Sequence, residues 1–311
     1  MSERFIPGGV IPAVLLPFDS ELRIDEKAYR SHLRHLLLVE GLSALTTNAH
    51  ASECHALSVD EQKEVLDITL DEIGDKLPII CGIYADGSKK AAALARQAEV
   101  AGARCLLIFP SNVFMFGALH RPEMVLSHYR IIAEATSLSM IAFVYPISGG
   151  LGYTTDTLVQ LAEEIPQVVA IKDWCNVPAQ HEKNIRALHN LKHPFSVLTT
   201  HSAWLLSSLT MGVDGLLSGA GSVIADLQVQ LWKAVKNGDL ATARILNDRI
   251  WPITNVFYSD PFLDMHNRMK EALVLLGLQK SAYVRPPLMK LSDQEISRIR
   301  QALIIAGLRR E

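Results

Sequence analysis

The 311-residue chain has little cysteine: Cys54, Cys81, Cys105 and Cys175 are its four, and none falls in a Cys-x-x-Cys spacing. That excludes a disulfide framework and a zinc ribbon, and it reads as reduced thiols in a cytoplasmic protein. Charge of one sign is missing too. Lys+Arg number 30 against Asp+Glu 33, a net charge of −3, and no aromatic residues interleave with the scattered basic ones. Nucleic acid is therefore not an expected partner. No apolar run approaches the ~20 residues of a membrane span, and Met1-Ser2-Glu3-Arg4-Phe5 lacks the charged-then-apolar order of a signal peptide. The first apolar run ends in Leu16-Pro17-Phe18-Asp19, without the Gly-x-Gly-x-x-Gly turn of a dinucleotide-binding sheet. What is present is 49% hydrophobic and 20% charged residues, the make-up of a soluble globular protein with a large core.

Short apolar runs alternate with longer amphipathic stretches. The pattern predicts strands over 10–18, 44–48, 78–83, 105–110, 140–146, 168–174, 195–200 and 215–218. Helices are expected over 26–40, 59–73, 89–101, 122–136, 155–164, 179–189, 203–210 and 225–237. Ser58-x-x-Glu61 reads as a capping box and Ser88 as an N-cap, while Gly102, Gly212 and Gly238 fall where helices should stop. Eight strands, each followed by a helix, predict an α/β fold: a (β/α)8 TIM barrel over 1–238. Residues 239–311 read as a C-terminal helical extension of the same folding unit, with helices over 239–258, 264–276 and 292–306.

In such a barrel the chemistry sits at the carboxyl ends of the strands. Those ends hold Asp19, the run Thr46–Glu53, Tyr84 and Asp86, Ser111 and Asn112, Phe143–Pro146, Lys172 and Asp173, Thr199–His201, and Ser218–Gly221. Of the thirteen lysines only Lys172 lies within a buried-looking strand, the others falling on polar helix faces or in loops. Burial lowers an amine's pKa, and a neutral lysine amine is the nucleophile that forms an imine with a carbonyl compound. The residues alone leave a second reading open, a lysine paired with Asp173. His50, Glu53 and His55 lie close enough in sequence to suggest a metal-dependent barrel enzyme, though His-x-x-Glu-Cys-His is not a zinc motif. Ser218-Gly219-Ala220-Gly221-Ser222 could cradle an anion on its amides or simply keep the barrel mouth open.

Several segments in order resemble one family, the class I lyases typified by dihydrodipicolinate synthase and N-acetylneuraminate lyase. Ile11-Pro12-Ala13-Val14-Leu15-Leu16-Pro17-Phe18 resembles its opening strand, with Leu16 at a usual Thr, and Ile24-Asp25 the start of its first helix. Ile171-Lys172-Asp173 matches the strand carrying the Schiff-base lysine, and Gly212-x-x-Gly215 with Leu216-Leu217-Ser218 the approach to strand eight. Val284-Arg285-Pro286-Pro287-Leu288 matches the usual ending. The resemblance implies a Schiff-base-forming lyase, an aldolase or dehydratase, acting on pyruvate or a related 2-oxo acid with the imine on Lys172. No metal and no cofactor are expected, and the charge and run lengths above predict no membrane or nucleic-acid partner; the resemblance implies assembly as a homotetramer or dimer.

Two departures shape the expected site. The family's Gly-Thr-Thr-Gly-Glu reads Ala49-His50-Ala51-Ser52-Glu53 here, so His50 stands where a threonine passes protons. Imidazole can also relay protons. The catalytic tyrosine of the fifth strand is Phe143, leaving Tyr145, two residues on, as its substitute; Ser148 stands at the arginine that the synthase uses for its second substrate. Lys172, Tyr145 and His50 are the expected catalytic residues, with Ala51, Ser52, Phe143, Ser218 and Gly219 lining the substrate. The departures argue against a true dihydrodipicolinate synthase. They also leave a non-catalytic, small-carboxylate-binding homologue as an alternative.

Overall fold

The eight apolar runs become β1 (Gly9–Pro12), β2 (Leu45–Thr47), β3 (Ile79–Ile83), β4 (Cys105–Ile108), β5 (Ser139–Val144), β6 (Val168–Asp173), β7 (Ser196–Thr199) and β8 (Gly215–Ser218). All pair in parallel, in the order β1-β8-β7-β6-β5-β4-β3-β2. β1 and β2 close the circle through single bridges, Val10 to Leu42 and Ala13 to Thr46. This is the computed structural model of the chain, and it describes residues 4–309. Met1, Ser2 and Glu3 of the opening segment lie outside them, as do the last two residues of the extension.

Between the strands run α1 (Glu26–Leu37), α2 (Val59–Ile73), α3 (Ser88–Ala101), α4 (Pro122–Ala133), α5 (Thr155–Glu164), α6 (Pro178–His189), α7 (Leu205–Thr210) and α8 (Gly221–Lys236). The fold is thus a TIM barrel with C-terminal helices. The Ser58–Glu61 capping box forms at α2 in both directions. Three expectations shift. β1 is shorter than 10–18, because Pro12 and Pro17 have no N–H to continue a ladder. Ser88 is the first residue of α3 rather than its cap, its hydroxyl 2.9 Å from His128 Nδ1. α8 starts at Gly221, four residues early, with a kink at Ile224.

α9 (Leu240–Phe257), α10 (Met265–Leu275) and α11 (Asp293–Ile305) follow the barrel. α9 buries Leu246, Ile250, Ile253 and Phe257, and Arg249 Nε donates to the Ala306 carbonyl at 3.0 Å. α10 is unusual: Asn267 through Leu273 are all buried, so its central two turns have no solvent face. Its Arg268 donates to Glu295 Oε2 at 2.9 Å and to the Ser259 carbonyl at 2.7 Å. No helix of the described residues is long and apolar enough to cross a membrane. All four cysteines are free and buried.

Candidate active site

β6 is buried along its whole length, and its register sets Lys172 between Phe143 on β5 and Leu198 on β7. Alternation along the strand sends Lys172 into the barrel and Asp173 out toward the helices. Lys172 Nζ lies 4.1 Å from the centroid of the Phe143 ring, and the side chain appears in none of the ion pairs among the described residues. Burial pulls its amine down to about 7, opposed only by the nearby Cys54 thiol. The pairing with Asp173 does not form. Asp173 instead faces His181 Nδ1 at 2.9 Å and accepts from Asn184 Nδ2 at 3.0 Å.

His50 opens the tight turn after β2, and Tyr145 stands one residue past β5. Their Nε2 and Oη atoms are hydrogen-bonded across the barrel mouth. Burial first, then the charges of Lys172 and His55, hold the His50 imidazole neutral, with its pKa near 3. Burial likewise raises the Tyr145 phenol well above its ordinary value. The rings of Phe143 and Tyr145 are 4.6 Å apart, and Phe109 packs 4.7 Å from His50. Both residues are thus neutral, touching, and set around the amine. Tyr84 packs edge-on to His50 at 5.9 Å and accepts from Asn112 Nδ2 at 3.0 Å.

The turn 50–52 is closed by the amides of Ser52, Glu53 and Cys54, which leaves the Ala51 amide outside its hydrogen bonds. The Ser52 hydroxyl donates to the Val14 carbonyl at 2.8 Å. Glu53 sits in the left-handed region at φ 52° with its side chain wholly buried. It pairs with Lys270, also wholly buried, and accepts the Arg285 N–H at 3.0 Å. His55 is exposed, so His50, Glu53 and His55 do not converge on a metal.

On the far wall, Ser218 Oγ is 2.8 Å from Ser202 Oγ and accepts the Ala220 N–H at 3.2 Å. Ser222 bonds the Ala13 carbonyl, and Gly221 begins α8 rather than an open loop. A Cβ on Gly221 would lie 3.0 Å from Pro12 Cα, so this glycine lets α8 pack against β1. His201 turns away from the mouth and accepts the Asn176 N–H on Nε2 at 3.1 Å.

Sequence reasoning missed the contribution of α10. Lys270 is a second buried lysine, contrary to the expectation that Lys172 is alone in being so. His266, one helical turn earlier on the same face, points toward Gly219, and Phe262 stacks on Trp174 with ring centroids 5.1 Å apart. The one available signal was the polar and charged run His266-Asn267-Arg268, with Lys270 and Glu271, beside the apolar positions Met265, Met269, Leu273 and Leu276 of an expected helix.

A lysine at the end of a barrel strand, with a hydrogen-bonded histidine–tyrosine pair in the same mouth, has relatives. The family description that matches residues 6–306 is the dihydrodipicolinate synthetase family. The 4-hydroxy-tetrahydrodipicolinate synthase of Pelodictyon phaeoclathratiforme (strain DSM 5477 / BU-1) is 30% identical over 99% of this chain and 100% of its own. The probable 2-dehydro-3-deoxy-D-pentonate aldolase YjhH of Escherichia coli (strain K12) is 23% identical over 96% of this chain and 97% of its own. Among solved structures, YagE from E. coli K12, a prophage protein of the dihydrodipicolinic acid synthase family in complex with pyruvate, has a TM-score of 0.88 at 22% identity, covering 97% of this chain and 99% of that one. This chain belongs to the dihydrodipicolinate synthetase family, whose members are lyases of the class I aldolase type.

Proposed function

We propose that the protein is a Schiff-base aldolase or dehydratase acting on pyruvate or a related 2-oxo acid, and not a dihydrodipicolinate synthase. The observation that carries this reading is the amine of Lys172, buried in the barrel mouth without a carboxylate partner and lowered to about 7. Near neutral pH a large share of it is free to attack a carbonyl carbon. Loss of water then leaves a protonated imine, an electron sink for proton removal at the neighbouring carbon or for cleavage of the next carbon–carbon bond. The relatives named synthase and aldolase, and the pyruvate bound in YagE, support a 2-oxo acid.

Tyr145 and His50 move the proton. Tyr145 donates to His50 Nε2 as it accepts a proton from the substrate hydroxyl, and the pair returns it to the leaving carbon. In the reverse sense the enamine carbon bonds the aldehyde carbon, the aldehyde oxygen takes Tyr145's proton, and hydrolysis frees Lys172. The Ala51 amide, outside the turn's own hydrogen bonds, is a donor for the substrate carboxylate, and Phe143 and the Ser52 turn shape its seat. Gly219 and Ser218 form the opposite wall. Two residues speak against a synthase: Phe143 has no proton to move, and Ser148 has no guanidinium for a second substrate.

Assembly as a dimer or tetramer belongs to the same reading. The turn after β4 exposes Val113, Met115 and Phe116, the last 86% exposed; sedimentation of the purified chain tests it. Borohydride reduction in the presence of pyruvate, followed by peptide mass spectrometry, tests the chemistry. A reduced adduct on Lys172 is the expected result, and no adduct with any 2-oxo acid would overturn it.

A further inference from the structure

α10 and the turn before it cross the barrel mouth from β6 to β8. At one end Phe262 stacks on Trp174, with planes 9° apart. At the other end His266 Nε2 stands 3.2 Å from where a side chain on Gly219 would begin. Its i+4 neighbour Lys270 reaches into the turn that carries His50. His266 thus stands at the barrel mouth, close enough to Lys172 for that amine's charge to bear on its imidazole. Its own ring takes part in none of the side-chain hydrogen bonds among the described residues, and the side chain is half-buried. A ring without a protein partner at the mouth of the site keeps its hydrogen-bonding positions open to a ligand.

We propose that His266 determines the acceptor specificity of this site, hydrogen-bonding an oxygen on the tail of an uncharged aldehyde whose flat body lies along the Tyr145, Trp174 and Phe262 rings. This rests on the imine chemistry of Lys172 and deepens it by naming the acceptor class.

Two further observations select an uncharged tail. Burial, then the imidazole of His50 and the charges of Lys172 and Lys270, hold His266 neutral, so it offers one N–H and one lone pair. The remaining cations nearby are engaged: Lys270 with Glu53, and Arg285 with Glu61 at 2.6 Å. The hydroxyls are engaged as well, Tyr145 with His50 and Ser218 with Ser202. A carboxylate tail would find no free cation, and a polyhydroxylated one would leave most of its groups unpaired. The wall itself is aromatic: Tyr145 packs 5.4 Å from Trp174, and Tyr258 lies 6.1 Å from Phe262.

The experiment separates the two half-reactions in wild type, H266A, H266Q and G219A. Borohydride trapping of pyruvate reads imine formation alone. Condensation of pyruvate with 4-methoxybenzaldehyde, glyceraldehyde or succinic semialdehyde reads the acceptor. Trapped pyruvate on Lys172 is expected in wild type, H266A and H266Q, with 4-methoxybenzaldehyde the preferred acceptor of wild type. In H266A, kcat/KM for 4-methoxybenzaldehyde should fall about 20-fold or more, chiefly through KM, and H266Q should restore most of it. G219A, whose Cβ presses on the imidazole, should behave like H266A. Unchanged acceptor kinetics in H266A, a preference for succinic semialdehyde, or no reaction with any of the three aldehydes would overturn the proposal. Absence of trapped pyruvate in wild type would instead overturn the imine reading beneath it.

Discussion

Glu53 and Lys270 form an ion pair between residues 217 positions apart, with both side chains wholly out of solvent. The second carboxylate oxygen of Glu53 accepts the Arg285 N–H at 3.0 Å, and Lys270 also donates to the Tyr283 carbonyl at 2.9 Å. Its ammonium lies 4.3 Å from the Phe18 ring centroid. The extension is thereby fastened to the turn that presents His50, so the barrel mouth is built from both ends of the chain.

Removing one partner of such a pair leaves a buried charge without compensation, which costs about 3–5 kcal/mol. Lys270→Met should therefore destabilise the fold by that amount in denaturant unfolding at pH 7. The double variant with Glu53→Gln should recover at least half, because no lone charge remains. If the double variant is as unstable as the single, the loss lies in packing and not in the stranded carboxylate.

The barrel was legible because its strands, buried on both faces, are unbroken β-branched runs, and its helices keep an apolar stripe. Lys172 was legible for the same reason: an ionisable residue interrupts such a run. α10 was not. Its apolar positions Met265, Met269 and Leu273 predict one buried face only, so His266 and Lys270 look like surface residues until the turn at Glu53 is folded against them. The direction of Asp173 and His201 was also hidden. Each stands at a strand end that faces the chemistry, but a shift of one residue sends the side chain to the opposite face.

The lowered amine of Lys172 gives a pH signature. With a pKa of about 7, against 10.5 for the ordinary amine, the free form grows from roughly one-tenth at pH 6 to roughly nine-tenths at pH 8. The rate of pyruvate trapping should climb about tenfold over that interval and then level off. A rate that is flat or falling from pH 6 to 8 would contradict a free-amine nucleophile. Stability follows the same shift: between about 7 and 10.5 the unfolded chain binds the extra proton, so the fold gains stability as pH rises through that window. Below pH 7 the folded protein carries the buried cation, and Lys172→Met should be more stable than wild type there. Lys172→Ala should lose the adduct and all turnover while keeping its circular dichroism.

Tyr145→Phe removes one hydroxyl and leaves the ring that packs against Phe143 and Trp174. Turnover should fall about 100-fold, the usual worth of a positioned proton carrier, while the trapped pyruvate adduct still forms. His50→Asn should fall similarly, and the two losses together should be no larger than either alone, because one proton path is broken in both. Unchanged turnover in Tyr145→Phe would make this tyrosine a packing residue and leave His50 without its partner.

Asp173, Cys175, His181 and His201 bring their donor atoms within 4.8 Å of one another, a set of ligand types that zinc accepts. Their lone pairs are already taken. His181 faces Asp173 Oδ2 at 2.9 Å on one nitrogen and Ser208 Oγ at 2.8 Å on the other. His201 Nε2 accepts the Asn176 N–H at 3.1 Å, and its Nδ1 lies 3.1 Å from Thr199 Oγ1. Burial would raise the Asp173 carboxyl, but the hydrogen bond from His181, with that from Asn184, more than offsets it and keeps the pKa below the usual carboxylate range. A cation entering this cluster would have to break at least three of those bonds. These bonds anchor the end of β6, one residue from Lys172. A strong chelator should therefore leave both turnover and melting temperature unchanged. His181→Ala should lower stability by about 1–3 kcal/mol, the cost of a buried group left unpaired. Because a group whose folded pKa is depressed contributes stability that is lost as pH falls through that value, the deficit of His181→Ala should shrink in acid. Stoichiometric zinc in the purified protein, together with a melting temperature that drops on chelation, would show that the cluster is a metal site and not an anchor.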